Sequence, residues 1–125
     1  MNIQSILIVD DDENDQFICD YTIRKFDPSI RVLKALDGAE ALDMLHRETP
    51  DAIILDINMP VMNGFEFLDR YATEFEVHAP IVALLTSSRL GKDRERAMQY
   101  SFVKSYFEKP LQADHLRLMS ELLGG

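Results

Sequence analysis

Short apolar runs alternate with segments of helical periodicity along the whole chain. Five runs predict strands, at residues 6–9, 30–35, 52–55, 80–85 and 105–109. Three of these runs consist almost entirely of Ile, Val, Leu and Ala, which is typical of parallel strands that helices cover on both faces. The strand pattern therefore favours a buried parallel sheet.

Helical periodicity fills the intervals between the predicted strands. Apolar residues three, four or seven positions apart predict three helices, marked by Phe17, Ile18 and Tyr21, by Ala41, Met44 and Leu45, and by Phe65, Leu68 and Ala72. A mostly polar segment at 92–100 predicts a fourth helix, and 113–123 predicts a fifth that Gly124 and Gly125 end. Asp37 and Asn63 are suited to cap helix starts.

Five strand–helix units in succession predict an α/β domain with an open parallel sheet. In such sheets the functional crevice lies outside the carboxyl ends of the strands. The residues that follow each strand are therefore the first candidates for function.

The size, charge and cysteine content of the chain exclude several classes of protein. A chain of 125 residues with 46% hydrophobic and 28% charged residues is the size of one domain, so residues 1–125 predict a single domain with no output domain. The formal net charge of −9 argues against direct DNA binding. No apolar run is long enough for a membrane span, and "MNIQS" does not resemble a secretion signal. The single cysteine, Cys19, excludes an internal disulfide and favours a cytoplasmic location.

Polar residues of complementary chemistry follow four of the five strands. They are Asp10, Asp11 and Asp12 after the first, Asp56 after the third, Thr86, Ser87 and Ser88 at the fourth, and Lys109 and Pro110 at the fifth. Each group alone is typical of a helix cap or a turn. Their combination at one edge of a sheet predicts a site.

The residues predict the chemistry of that site. Carboxylates that meet at one point repel each other unless a cation lies between them, and hard oxygen ligands suit Mg²⁺. An aspartate beside such a metal can accept a phosphoryl group as an acyl phosphate. Lys109 could bind one phosphoryl oxygen and Thr86 could donate a hydrogen bond to another.

Four segments resemble the receiver domain of two-component response regulators. They are "ILIVDDDEND", "IILDINMPVMNGFEFL", "LLTSS" and "YFEKP", and the likeness covers essentially the whole chain. The resemblance implies a flavodoxin-like (βα)5 three-layer sandwich of the chemotaxis-receiver type, with strand order 2-1-3-4-5.

The resemblance also implies a role for individual residues. Asp56 is then the phosphoacceptor, Asp11 a direct Mg²⁺ ligand, and Asp10 a ligand mainly through water. The backbone carbonyl of Asn58 completes the protein ligands of the metal.

Further matches concern the phosphoryl contacts and the switch. Thr86 and Lys109 match the residues that bind the phosphoryl group, and Tyr106 matches the aromatic residue that turns inward when the threonine moves. The Lys109–Pro110 bond is usually cis in this family, while Asp12 is expected only to cap the first helix.

The chain departs from the family pattern at several positions. Phe102 and Val103 stand where many receivers have a glycine and a small residue, so we expect a different turn and a partly exposed Phe102. Ser87 replaces a small residue, often alanine. Asn58 and Ser88 lie two residues beyond the phosphoacceptor and the switch threonine, and we expect them to set the lifetime of the acyl phosphate.

The leading hypothesis is a phosphorylation-controlled signalling switch rather than a conventional enzyme. A sensor histidine kinase or a phosphotransfer protein would donate the phosphoryl group, slow autodephosphorylation would remove it, and the face formed by the fourth helix, fifth strand and fifth helix would regulate a partner. Two alternatives remain open. One is a phosphatase of the haloacid-dehalogenase type with Asp10 as nucleophile, and the other is an adaptor that is never phosphorylated.

The fifth helix carries two apolar rows. They are Leu111, Leu118 and Leu122, and Leu116, Met119 and Leu123. One row must face the sheet. The other either widens the buried stripe or forms a docking or homodimer surface.

Overall fold

The computed structural model describes residues 3–57, 59, 62–87 and 91–123, without the side chains of residues 91–93. Strands and helices alternate through the described residues in the predicted order. The strands are β1 (Ser5–Val9), β2 (Arg31–Ala35), β3 (Ala52–Leu55), β4 (Ile81–Thr86) and β5 (Val103–Glu108). The helices are α1 (Glu13–Phe26), α2 (Gly38–Leu45), α3 (Gly64–Glu74), α4 (Gly91–Ala97) and α5 (Ala113–Leu122). No helix in these ranges combines the length and the apolar character needed to cross a bilayer.

The strands form one parallel sheet in the order β2-β1-β3-β4-β5, which confirms the predicted fold class. The registers of β1, β2 and β3 place Val9 beside both Ala35 and Leu55. These three strands therefore end at the same level, and the residues after them meet at one edge of the sheet.

Two apolar cores lie on opposite faces of the sheet, because successive side chains of a strand point to opposite faces. Leu7 and Val9 pack with residues of α2 and α3, whereas Ile6 and Ile8 pack with residues of α1 and α5. All residues of β3 and β4 are buried. The architecture is thus a three-layer sandwich with its most buried strands in the middle.

The apolar residues that mark α1 in the sequence do not form its buried face. Phe17 is 69% exposed and Tyr21 is 58% exposed, while the sheet contacts Gln16, Cys19 and Ile23. The buried residues also have helical spacing, but their face begins with a polar side chain. The Gln16 amide donates hydrogen bonds to backbone carbonyls at the ends of β1 and β2, and this anchors the helix in that orientation.

Phe102 is buried, not partly exposed as expected. Its ring contacts the rings of Tyr71, His78 and Tyr100, and its carbonyl accepts a hydrogen bond from Val82 N at 2.9 Å. β5 accordingly begins at Val103, two residues before the predicted strand. The aromatic ring fills space beside α3, so a large residue is accommodated before β5.

The second apolar row of α5 does not widen the buried stripe. Leu116 and Met119 are fully buried, whereas Leu118 is 42% exposed and Leu122 is 47% exposed. Leu111, the remaining residue of that row, precedes the helix and is buried. Leu118 and Leu122 therefore form an apolar strip on the surface.

Substitutions of two leucines of α5 test which face of the helix is buried. We expect Leu116→Ala to lower the free energy of unfolding by about 2–5 kcal/mol, because it leaves a cavity in a packed core. Leu118→Ala should change the free energy of unfolding by no more than about 0.5 kcal/mol. Urea denaturation of both variants measures the difference, and equal losses would contradict the orientation of α5.

Candidate functional site

Three carboxylates converge where β1 and β3 end. One oxygen from each of Asp10, Asp11 and Asp56 lies within 4.8 Å of the others. Asp10 and Asp56 are buried, whereas Asp11 is exposed. The sequence separates Asp11 from Asp56 by most of two strand–helix units, and the pairing of β1 with β3 brings them together.

The loop after β3 is fixed on both sides of Asp56. Asp56 N donates a hydrogen bond to the Val9 carbonyl at 2.9 Å, and Gly64 N donates one to the Ile57 carbonyl at 2.8 Å. A Cβ atom on Gly64 would lie 2.7 Å from Ile57 Cα and 3.1 Å from the Asp56 carbonyl oxygen. Only glycine allows the start of α3 to approach the Asp56 backbone so closely.

The turn from β1 into α1 uses the acidic run in two ways. Asp10 Oδ1 accepts a hydrogen bond from Asp12 N at 2.9 Å. The Asp12 carboxylate accepts hydrogen bonds from Asn14 N and Asp15 N, which confirms that Asp12 caps the helix. Asp37 and Asn63 cap α2 and α3 in the same manner. Consecutive aspartates thus have different roles.

Lys109 brings a positive charge to the carboxylates from the end of β5. Its Nζ lies 2.6 Å from Asp15 Oδ2, 3.1 Å from Asp10 Oδ2 and 3.4 Å from Asp56 Oδ2. Lys109 N donates a hydrogen bond to the carbonyl of the fully buried Thr86 at 2.9 Å, so the end of β4 also borders the site. The Lys109–Pro110 peptide bond is cis.

The charges in this site are incompletely balanced. Burial raises the pKa of Asp10 to about 6, and the negative charge of Asp56 adds to the shift, while hydrogen bonds from Asp12 N and Lys109 oppose it. Burial alone would lower the pKa of Lys109, but the contacts with Asp15, Asp56 and Asp10 raise it above its ordinary value. Burial and the neighbouring Asp56 therefore disfavour the ionised form of Asp10, and a cation beside the carboxylates would stabilise it.

Other predicted residues lie around this cluster or outside the described part. Tyr106 is half-buried on β5 and packs against the core beneath α2 and α3. Asn58 and Ser88 fall outside the described residues. The three histidines, His46, His78 and His115, belong to no metal-binding group found among the described residues.

Sequence reasoning missed two polar residues of α1. Neither Asp15 nor Gln16 is among the site residues that the sequence indicates. Asp15 lies in the first turn of the helix that follows the acidic pair, which directs its carboxylate back over the ends of the strands. Gln16 shares helical spacing with Cys19 and Ile23, but Phe17 and Tyr21 have helical spacing too, so the spacing alone does not identify Gln16 as buried.

Comparison with known proteins identifies the family. The model of the response regulator receiver domain matches residues 6–121. The chain belongs to this family. A structure of a two-component response regulator from Cytophaga hutchinsonii superposes with a TM-score of 0.89, at 30% identity over 98% of each chain. The Pseudomonas aeruginosa protein PilH is 27% identical over 121 residues, which are 96% of this chain and 98% of PilH.

Other relatives carry a similar region within a much longer protein. The sensor histidine kinase CheAY of Helicobacter pylori is 34% identical over 116 residues, which are 89% of this chain but 14% of the kinase. The chain spans 22% of one similar protein-glutamate methylesterase and 36% of another. The shared region is the receiver, a regulatory signalling domain of two-component systems.

The buried Asp10 should make the metal-free protein less stable above pH 6. The folded-state pKa lies above the unfolded value, so the stabilising effect of protonated Asp10 is complete below about pH 4 and is lost as the pH rises to about 6. Asp10→Asn should therefore raise the free energy of unfolding by about 2–3 kcal/mol at pH 7, and by almost nothing below pH 4.

Urea denaturation in EDTA at several pH values measures this difference. Asp43→Asn, on the exposed side of α2, is the matched control, because it makes the same chemical change outside the buried site. A destabilising Asp10→Asn at pH 7 would show that the contact with Lys109 outweighs the cost of burial.

Proposed function

We propose that this receiver accepts a phosphoryl group on Asp56 in a Mg²⁺-dependent reaction and acts as a switch. The observation that carries the proposal is the convergence of Asp10, Asp11 and Asp56 on one point with the Lys109 ammonium 3.4 Å from the Asp56 carboxylate. Carboxylates and a lysine in that arrangement are suited to phosphoryl transfer, which needs positioning and charge neutralisation more than covalent assistance.

The donor set fits Mg²⁺. Three aspartate oxygens within reach of one ion are hard ligands of the kind that Mg²⁺ prefers. Burial, with a smaller contribution from the charge of Asp56, raises the pKa of Asp10, and a cation would favour its ionised form. Asp11 would bind the ion directly, Asp10 mainly through water, and the Asn58 carbonyl would complete the protein ligands. When bound, Mg²⁺ neutralises charge on the phosphoryl oxygens and on the attacking carboxylate.

The transfer itself follows from the residues. An Asp56 carboxylate oxygen attacks phosphorus, the bond from phosphorus to the donor histidine nitrogen breaks, and that nitrogen keeps the electron pair and later takes a proton. Lys109 and Thr86 bind the phosphoryl oxygens. In hydrolysis a water attacks phosphorus, the Asp56 carboxylate leaves, and phosphate is released.

The donor we propose is a sensor histidine kinase or a phosphotransfer protein. Phosphorylation adds a charge of about −1.5 to −2 at Asp56. Thr86 would move toward that charge, and Tyr106 would report the movement to the face formed by α4, β5 and α5. A downstream protein or a second copy of the chain would bind there.

Labelling with a small phosphodonor tests the proposal. Phosphoramidate with MgCl₂ should phosphorylate the wild-type protein, and we expect no label in Asp56→Asn or in the presence of EDTA. Intact-protein mass spectrometry detects the phosphoryl group. Asp69→Asn, an exposed change on α3, is the control and should label like the wild type.

Two other outcomes would favour the alternatives. Label that persists in Asp56→Asn and disappears in Asp10→Asn would indicate a phosphatase-like nucleophile at Asp10. No label under any condition, with normal folding by circular dichroism, would favour the adaptor that is never phosphorylated.

The exposed strip of Leu118 and Leu122 makes the homodimer testable. Sedimentation velocity with Mg²⁺ and beryllofluoride, a mimic of the phosphoryl group, should show a larger species than the same protein without the mimic. Leu118→Ser with Leu122→Ser should abolish that species. A monomer in both states at high protein concentration would contradict the homodimer.

A further inference from the structure

Asp15 makes the shortest contact that Lys109 has with a carboxylate in the described structure. The Lys109 Nζ to Asp15 Oδ2 distance is 2.6 Å, against 3.1 Å to Asp10 and 3.4 Å to Asp56. A lysine ammonium has three donors, and three carboxylates surround this one. The ammonium therefore lies closer to Asp15 than to the proposed phosphoacceptor.

Asp15 differs from the other two carboxylates in its surroundings. Its side chain is 30% exposed, whereas those of Asp10 and Asp56 are 3% and 7% exposed. It is not a member of the cluster that could hold a metal. Asp15 thus keeps part of its hydration and would remain beside Lys109 when a cation binds the other carboxylates.

Asp15 also alters the charge balance of the site. Asp10, Asp11 and Asp56 carry three negative charges, which Mg²⁺ and Lys109 would neutralise. The carboxylate of Asp15 adds a further negative charge directly against the lysine. The positive charge that Lys109 offers to an incoming phosphoryl group is therefore already partly offset by Asp15.

We propose that Asp15 is a positioning residue that holds Lys109 back from the phosphoryl group and so lowers the affinity of the site for it. This inference rests on the proposed phosphorylation of Asp56. To bind a phosphoryl oxygen, Lys109 must turn one N–H donor of its ammonium toward it. Asp15 opposes that movement, because its hydrogen bond to Lys109 is shorter than the contacts of Lys109 with Asp10 and Asp56. Its carboxylate also repels the dianionic phosphoryl group, an effect that does not depend on hydrogen-bond geometry.

The opposite role would be that of an anchor. If Asp15 aimed the ammonium at the phosphoryl group, removing its charge would disorder Lys109 and weaken phosphoryl binding. The two roles give opposite signs for the same substitution, so one measurement separates them.

The test compares initial rates of phosphorylation over a range of phosphoramidate concentrations at saturating MgCl₂. We expect Asp15→Asn to lower the KM for phosphoramidate by about three- to tenfold, because it removes one like charge near the donor's phosphoryl group. The maximal rate should change little. Added salt should shrink the difference between the variants, since a partly exposed charge is screened.

A second measurement does not depend on turnover. Isothermal titration calorimetry with beryllofluoride and Mg²⁺ should give a lower Kd for Asp15→Asn than for the wild type. Asp15→Glu restores the charge and should restore the wild-type KM and Kd.

Asp20→Asn is the matched control, because Asp20 is also an ion-paired aspartate of α1 but contacts Arg24 and Lys34 instead of Lys109. It should keep the wild-type KM. An unchanged or higher KM in Asp15→Asn would overturn the inference while leaving the proposed function standing. A wild-type protein that takes neither phosphoryl group nor beryllofluoride would overturn both.

Discussion

The contact of one lysine with a group of buried carboxylates is the constraint on which the site depends. Parallel strands that end at one level bring Asp10 and Asp56 together in a place with little water. Two like charges there are costly unless positive charge lies beside them. Lys109 supplies that charge from the other end of the chain, and the pairing of β5 with β4 delivers it. The sheet topology therefore both brings the carboxylates together and supplies the lysine that stabilises them.

Helix α1 contributes residues both to the site and to the apolar core. Its N-terminus is capped by Asp12, its first turn places Asp15 against Lys109, and Gln16 binds the carbonyls that end β1 and β2. These polar contacts fix the rotation of the helix about its axis. Once that rotation is fixed, Phe17 and Tyr21 must face the solvent although they are the larger apolar residues. Satisfied polar groups at the strand ends thus decide which face of α1 is buried.

Much of this could be predicted from the sequence, for identifiable reasons. Nearly continuous apolar runs are typical of covered parallel strands, so the predicted bounds of β1, β3 and β4 agree with the structure to within one residue. The strand order is implied by the family resemblance. The rotation of α1 could not be predicted, because apolar periodicity fits two faces and only the contacts of Gln16 distinguish them. The buried Phe102 depends on a space beside Tyr71 that only the folded structure creates. The pairing of Asp15 with Lys109 joins residues at opposite ends of the chain, and neither local pattern indicates it.

The packing of the sheet limits which strands could move in response to a change at Asp56. β3 and β4 are buried along their whole lengths, so the centre of the sheet cannot shift without disturbing both cores. β5 is an edge strand with a single strand neighbour, and Tyr106 on it is only half-buried. Tyr106 is also paired in register with Leu84, two residues before Thr86. A change of position on β5 would therefore disturb fewer neighbouring strands than a change on β3 or β4. If Asp56 is phosphorylated as proposed, β5 is therefore the strand of the sheet that can respond with the least disturbance of the two cores.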